Sequence, residues 1–109
     1  MIYHITSAAE ARQAATRGEY LPQAFTADGF IHCSHPHQVC RVANARFTGQ
    51  RDLVLIEIDP ARAGCNIIDE NLEGGSELFP HVYGPLPMSA VVRILDFPCD
   101  DTGRFDLPI

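Results

Sequence analysis

Asp52-Leu53-Val54-Leu55-Ile56-Glu57-Ile58-Asp59-Pro60 is the stretch on which the fold turns. From Leu53 to Ile58 the chain is apolar at every position except Glu57, and Asp59-Pro60 closes the run. A strand with one wet face alternates apolar and polar residues, whereas a near-continuous apolar run marks a central strand covered on both faces. Glu57 within it is either an edge residue or a site residue.

Downstream of this strand the chain reads as more strands. Cys65–Asp69 is a short candidate, followed by a Gly74-Gly75 turn. Leu78–Tyr83 is interrupted by Pro80, which predicts a sheet edge or a bulge, because proline has no N–H for a ladder. Ala90–Phe97 is predicted as a strand with Val91, Arg93, Leu95 and Phe97 on one face. Upstream the chain reads as helices and short strands. Ile2–Ile5 is rich in β-formers. Ser7 is the expected N-cap of a helix over Ala8–Thr16, with Glu10 as its capping-box partner and Gly18 as the stop. Glu19–Asp28 reads as a loop, and Phe30–Cys33 as a second short strand. Ser34 is the expected N-cap of a second helix, started by Pro36 and carrying Val39, Val42, Ala43 and Phe47 on one face. Helices in the first half and strands in the second predict an α+β fold with a mixed or antiparallel sheet and two main helices.

The chain has 109 residues, enough for one domain and its own core, with residues 98–109 expected to form a loosely packed tail. Its formal charge is −6, and all eight basic residues are arginines. Without clustered Lys and Arg, duplex nucleic acid is not an expected partner. No apolar run is long enough to span a bilayer, and the first residues have no secretory signal pattern. The cysteines (Cys33, Cys40, Cys65 and Cys99) lack C-x-x-C spacing and read as reduced thiols, so the expected compartment is the cytoplasm.

Five histidines give the chain its chemical character. His4, His32 and His81 each stand between apolar neighbours on a predicted strand, so alternation points them away from those neighbours. If the strands are adjacent, the three rings converge on one cleft. His35 and His37 flank Pro36 and read as solvated. His37 and Cys40 have chelating spacing, but the consecutive His32 and Cys33 face apart, and no metal is assigned. A Cys33 or Ser34 nucleophile beside His32 fails on the same geometry. Glu57, Glu70, Glu73 and Glu77 are the acidic candidates.

Four blocks carry a resemblance: Tyr3-His4-Ile5-Thr6, Gly29-Phe30-Ile31-His32-Cys33-Ser34, Asp52–Asp59, and Phe79-Pro80-His81-Val82-Tyr83-Gly84-Pro85-Leu86. In this order the chain closely resembles a family of small bacterial and plant proteins catalogued as domain of unknown function 952. That family is similar to a compact ADP-ribosyltransferase fold, with a split, mostly antiparallel sheet around a nicotinamide-nucleotide cleft. The resemblance implies that His4 holds a ribose hydroxyl and that NAD or a related nucleotide is the cofactor. Transferases of that superfamily carry a late-strand glutamate, and here the corresponding strand carries His81.

The leading expectation is a small polar, nucleotide- or ribose-like ligand in a histidine-rich cleft, with acid–base chemistry by His32, His81 and Glu70. His4, Thr6, Ser34 and Tyr83 are the expected ligand-binding residues, with Ser34 marking an anion-friendly helix N-terminus. The alternatives are a non-catalytic interaction or structural domain on an old enzyme fold, and a transition-metal binder.

Overall fold

A computed structural model describes residues 1–71 and 75–109. Glu73 and Gly74, named above, lie outside the described residues. The chain is α+β. Its strands are β1 (Ile2–Ser7), β2 (Glu19–Tyr20), β3 (Ile31–His32), β4 (Leu53–Ile58), β5 (Asn66–Glu70), β6 (Phe79–Tyr83), β7 (Leu86–Pro87) and β8 (Val91–Asp96). Its α-helices are α1 (Ala8–Arg17), α2 (Phe25–Asp28) and α3 (Val39–Arg46). Among the described residues the strands form a β1-β4-β8 sheet, a β3-β6-β5 sheet and a β2-β7 ribbon, with every recorded pairing antiparallel.

β4 is central and buried at all six positions, as its composition requires. One of its faces carries Val54, Ile56 and Ile58 into a cluster with Ala11, Ala14, Tyr20, Ile31 and Val82. The other carries Leu53 and Leu55 into a cluster with Val39, Ala43, Phe97 and Phe105. Glu57 sits on this second face, neither at an edge nor in a cleft. Its carboxylate accepts the Tyr3 hydroxyl at 2.6 Å and the Arg93 Nε–H at 3.0 Å. Those bonds hold the carboxyl below its ordinary range, and burial raises the Tyr3 phenol to about 12.

Several local expectations change on folding. Ser7 does cap α1, accepting from the Glu10 N–H, but the Glu10 carboxylate accepts from the Thr6 hydroxyl and not from the Ser7 backbone. Gly18 ends α1 with φ of 85°, a left-handed turn that glycine adopts without strain. The predicted loop Glu19–Asp28 contains β2 and α2, and Tyr20 is one of the most buried side chains. Pro80 lies in the middle strand of its sheet and not at an edge. Its carbonyl accepts from Cys33 N–H, on the side where β3 has already ended. The missing N–H therefore interrupts no ladder. Ser34 does not cap a helix. Its backbone pairs with Tyr3, and His35 caps a 3-10 turn over Pro36–Gln38 that leads into α3. Finally, β8 is bulged: Glu57 pairs Arg93 but Ile58 pairs Val91, so Val91 joins the first cluster while Leu95 and Phe97 join the second.

The tail is docked chiefly by Phe105, with a backbone bond from Gly49 to the Gly103 carbonyl at 2.9 Å beside it. Phe105 is buried against Phe97, with ring centroids 4.9 Å apart, and its backbone bonds both ends of the Asn44 amide. Phe105→Ala is expected to lower unfolding stability by about 3 kcal/mol through the cavity it leaves. A urea titration reads this directly, and an unchanged midpoint would show that the tail adds nothing to the core.

Candidate functional site

Side-chain alternation sorts the β3-β6-β5 sheet into an oily face and a polar one. Ile31, Ile67 and Val82 project into the first core cluster. Phe30, His32, Glu70, Phe79, His81 and Tyr83 have the opposite parity. Register then decides the neighbours. His32 and His81 are directly cross-strand, and their rings meet edge to face at 5.2 Å. Phe30 stacks on His81 at 4.0 Å.

Glu70 is cross-strand from Phe79 and so lies diagonal to His81. Its Oε1 accepts from His81 Nδ1 at 2.9 Å and also from the Tyr83 hydroxyl. These two bonds hold the Glu70 carboxyl below its ordinary value and raise the Tyr83 phenol. His81 is only 3% exposed. The ring nonetheless lines an opening beside the sheet, and no hydrogen bond to its Nε2 is recorded among the described residues.

The opening it reaches is a cleft of about 360 Å³. It exists because strand pairing stops early. Tyr3 and Ser34 exchange backbone hydrogen bonds of 2.9 and 2.7 Å, the only backbone pair recorded between β1 and the β3 segment. The next antiparallel pair would be Ile5 with His32. Instead the His32 carbonyl accepts the Nδ1–H of the His4 ring at 2.5 Å. The Ile5 N–H and C=O therefore face the cleft without a ladder partner. Ser34, His32, His81 and Glu70 line the cleft, together with Val42 and Arg46 from α3, Phe47 just after it, Glu77, and Phe79 at the start of β6. Arg41 pairs with Glu77 across the rim.

The structure thus brings His32, His81, Glu70 and Ser34 together, with His4 in the cleft wall. His4 does not offer a free ring to a ligand: both nitrogens are engaged, Nδ1 by the His32 carbonyl and Nε2 by the Tyr20 hydroxyl at 2.7 Å. Burial pushes its pKa down. Thr6 is buried on the far side, bonded to Glu10 and Tyr20, and does not line the cleft. Tyr83 stands behind Glu70 and positions it, so it is not a cleft wall. Ser34 reaches the cleft from a strand bridge and not from a helix N-terminus. Val42 and Phe47, read from the sequence as core, are the cleft's apolar wall, and Arg46, one helical turn after Val42, was missed. His35 is paired with Asp69 at 2.8 Å, not simply solvated. Among the described residues no three metal-ligating side chains stand together, and no helix is long and apolar enough to cross a membrane.

Fold and cleft together define an α+β protein of antiparallel sheets with a histidine- and glutamate-lined opening between two of them. The chain belongs to the family described as protein of unknown function (DUF952), whose model matches residues 5–94. The crystal structure of protein CC0527 from Caulobacter crescentus is similar to it at 37% identity, over 97% of this chain and 93% of that one, with a TM-score of 0.86. The solution NMR structure of CC0527 matches over 94% and 89%, with a TM-score of 0.79. No curated protein matches the chain.

Glu70→Gln tests the polar face through its pH dependence. A carboxyl whose folded pKa is depressed stabilises the fold above its unfolded value, and that contribution disappears as pH falls through the folded value. The stability gap between wild type and Glu70→Gln is therefore expected to be full above the ordinary value of 4.5 and to close below it. Paired denaturation curves across that range check this; a gap independent of pH contradicts it.

Proposed function

We propose that this protein binds a small, ribose-bearing polar ligand of the nucleotide class in the cleft, and that His81 acts on it as an acid–base group. The observation that carries the proposal is the Glu70–His81 pair, in which the carboxylate holds Nδ1 of a ring that lines the cleft. A neutral imidazole held this way has its proton on Nδ1 and a basic Nε2, so it accepts a proton from a ligand hydroxyl while Glu70 steadies the resulting imidazolium. His32 stands edge-on to His81 at the rim, with its Nε2–H given to the Asp28 carboxylate at 3.2 Å. Ile5, Val42, Phe47 and Phe79 offer an apolar wall to a planar ring, and the unpaired Ile5 backbone offers one donor and one acceptor to a ring substituent.

This reading favours NAD, ADP-ribose or a related nucleotide and agrees with an ADP-ribosyltransferase-like ancestry. The late-strand carboxylate of such enzymes would here be replaced by His81 backed by Glu70 from the neighbouring strand. The contribution of His4 is to hold the cleft open, since its ring is already fully bonded. That same engagement favours the second reading, a non-catalytic binding domain on an old enzyme fold.

Calorimetry with NAD, ADP-ribose and AMP is expected to give saturable heat with at least one of them. His81→Ala is expected to weaken it about tenfold or more, which is ~1.4 kcal/mol. Absence of heat from all three nucleotides with folded wild-type protein would overturn the ligand class.

A further inference from the structure

Behind the cleft a polar chain crosses the core from His4 to Glu10. His4 Nε2 lies 2.7 Å from Tyr20 Oη, Tyr20 Oη lies 3.1 Å from Thr6 Oγ1, and Thr6 Oγ1 lies 2.5 Å from Glu10 Oε2. Each of these three contacts needs one hydrogen, and the two hydroxyls supply two. The His4 Nδ1 hydrogen cannot serve, because it is held by the His32 carbonyl, which only accepts. The third hydrogen must therefore sit on His4 Nε2 or on Glu10. A neutral His4 facing a Glu10 carboxylate would leave one contact without a hydrogen.

We propose that His4, Tyr20, Thr6 and Glu10 form a proton relay whose two ends share a single proton. In one state the Glu10 carboxyl donates to Thr6, Thr6 to Tyr20 and Tyr20 to His4 Nε2, with both ends neutral. In the other, the Glu10 hydrogen has passed to Thr6 Oγ1, the Thr6 hydrogen to Tyr20 Oη and the Tyr20 hydrogen to His4 Nε2, leaving a carboxylate and an imidazolium. No atom moves beyond the hydrogens, and total charge is conserved. The relay joins two openings. His4 lines the cleft, while Glu10 and Tyr20 line a separate hollow of about 430 Å³ with Gln13, Arg17 and Gln23. The Glu10 end of the relay thus meets solvent on the α1 side.

The groups facing His4 and Tyr20 are Glu10 from α1 and His32 and Cys33 from the β3 segment, with Arg17 at the rim of the hollow. Burial favours the neutral ring, and the Glu10 charge opposes it. The two states are accordingly set against each other inside one chain of bonds. This inference is independent of what the cleft binds.

NMR of the ligand-free full chain tests it. The His4 ring nitrogens and the Glu10 carboxyl carbon are expected to change at one common midpoint as pH is varied, because strongly coupled groups titrate as a pair. Thr6→Val cuts the chain and is expected to split the midpoints by about one pH unit or more, whereas Thr6→Ser restores the common value. A His4 ring that stays neutral while Glu10 titrates alone overturns the relay, as does a common midpoint that survives Thr6→Val. If Thr6→Val does not fold, Glu10→Gln decides at the other end of the chain: the His4 midpoint must shift, and an unchanged one overturns the proposal.

Discussion

Among the described residues, the hydrogen-bond ladders of the two main sheets are joined by one backbone pair and one imidazole. Tyr3 and Ser34 exchange hydrogen bonds, and the next ladder position is intercepted when the His4 ring takes the His32 carbonyl. A side chain has replaced a backbone donor. The exchange leaves the carbonyl satisfied, as a part-buried acceptor requires, but it lets β1 and β3 diverge. Had the Ile5 N–H made that bond, the sheets would be continuous and the cleft closed. The position of His4 therefore matters less for what it offers a ligand than for what it prevents.

The polar groups around this junction are arranged as separate bonded sets. Glu57 binds Tyr3 and Arg93 on one face of the central sheet, and Glu70 binds His81 and Tyr83 on the outer face of the second. Each is a carboxylate that holds a phenol and a basic group. Their surroundings separate them. Glu57 lies beneath the cover of the second core cluster, while Glu70 opens into a cleft with an apolar wall on its far side. The same chemical unit is a strut in one place and a candidate reactive pair in the other, because burial decides whether anything else can reach it.

Much of the site was legible in the residues. Alternation placed His32 and His81 away from their apolar neighbours, and the blocks around them pointed to one family. Cross-strand register, which no single strand encodes, made His32 and His81 neighbours and set Glu70 diagonal to His81. The same alternation misled for Thr6, which does not line the cleft, while His4 does line it but with both ring nitrogens engaged. It gave the correct face of β1, but a sheet covered on both sides has no wet face, so that face led into the core. The role of Val42 and Phe47 was also hidden, since an apolar helix stripe reads the same whether it fills a core or walls a cleft.

By itself the sequence determined the elements whose causes are local: the twice-covered strand Leu53–Ile58, the Ser7 cap and Gly18 stop of α1, and the apolar stripe of α3. These depend on periodicity, capping geometry and backbone freedom within a few residues. Only the tertiary structure decided the buried place of Tyr20, the central seat of Pro80, the bulge that switches faces in β8, and the docking of Phe105. Each of these depends on which distant segment lies alongside, and on whether a hydrogen bond missing at one residue is needed by its neighbour. The cleft belongs to this second kind: it is a gap between two ladders, and a gap has no residues of its own to read.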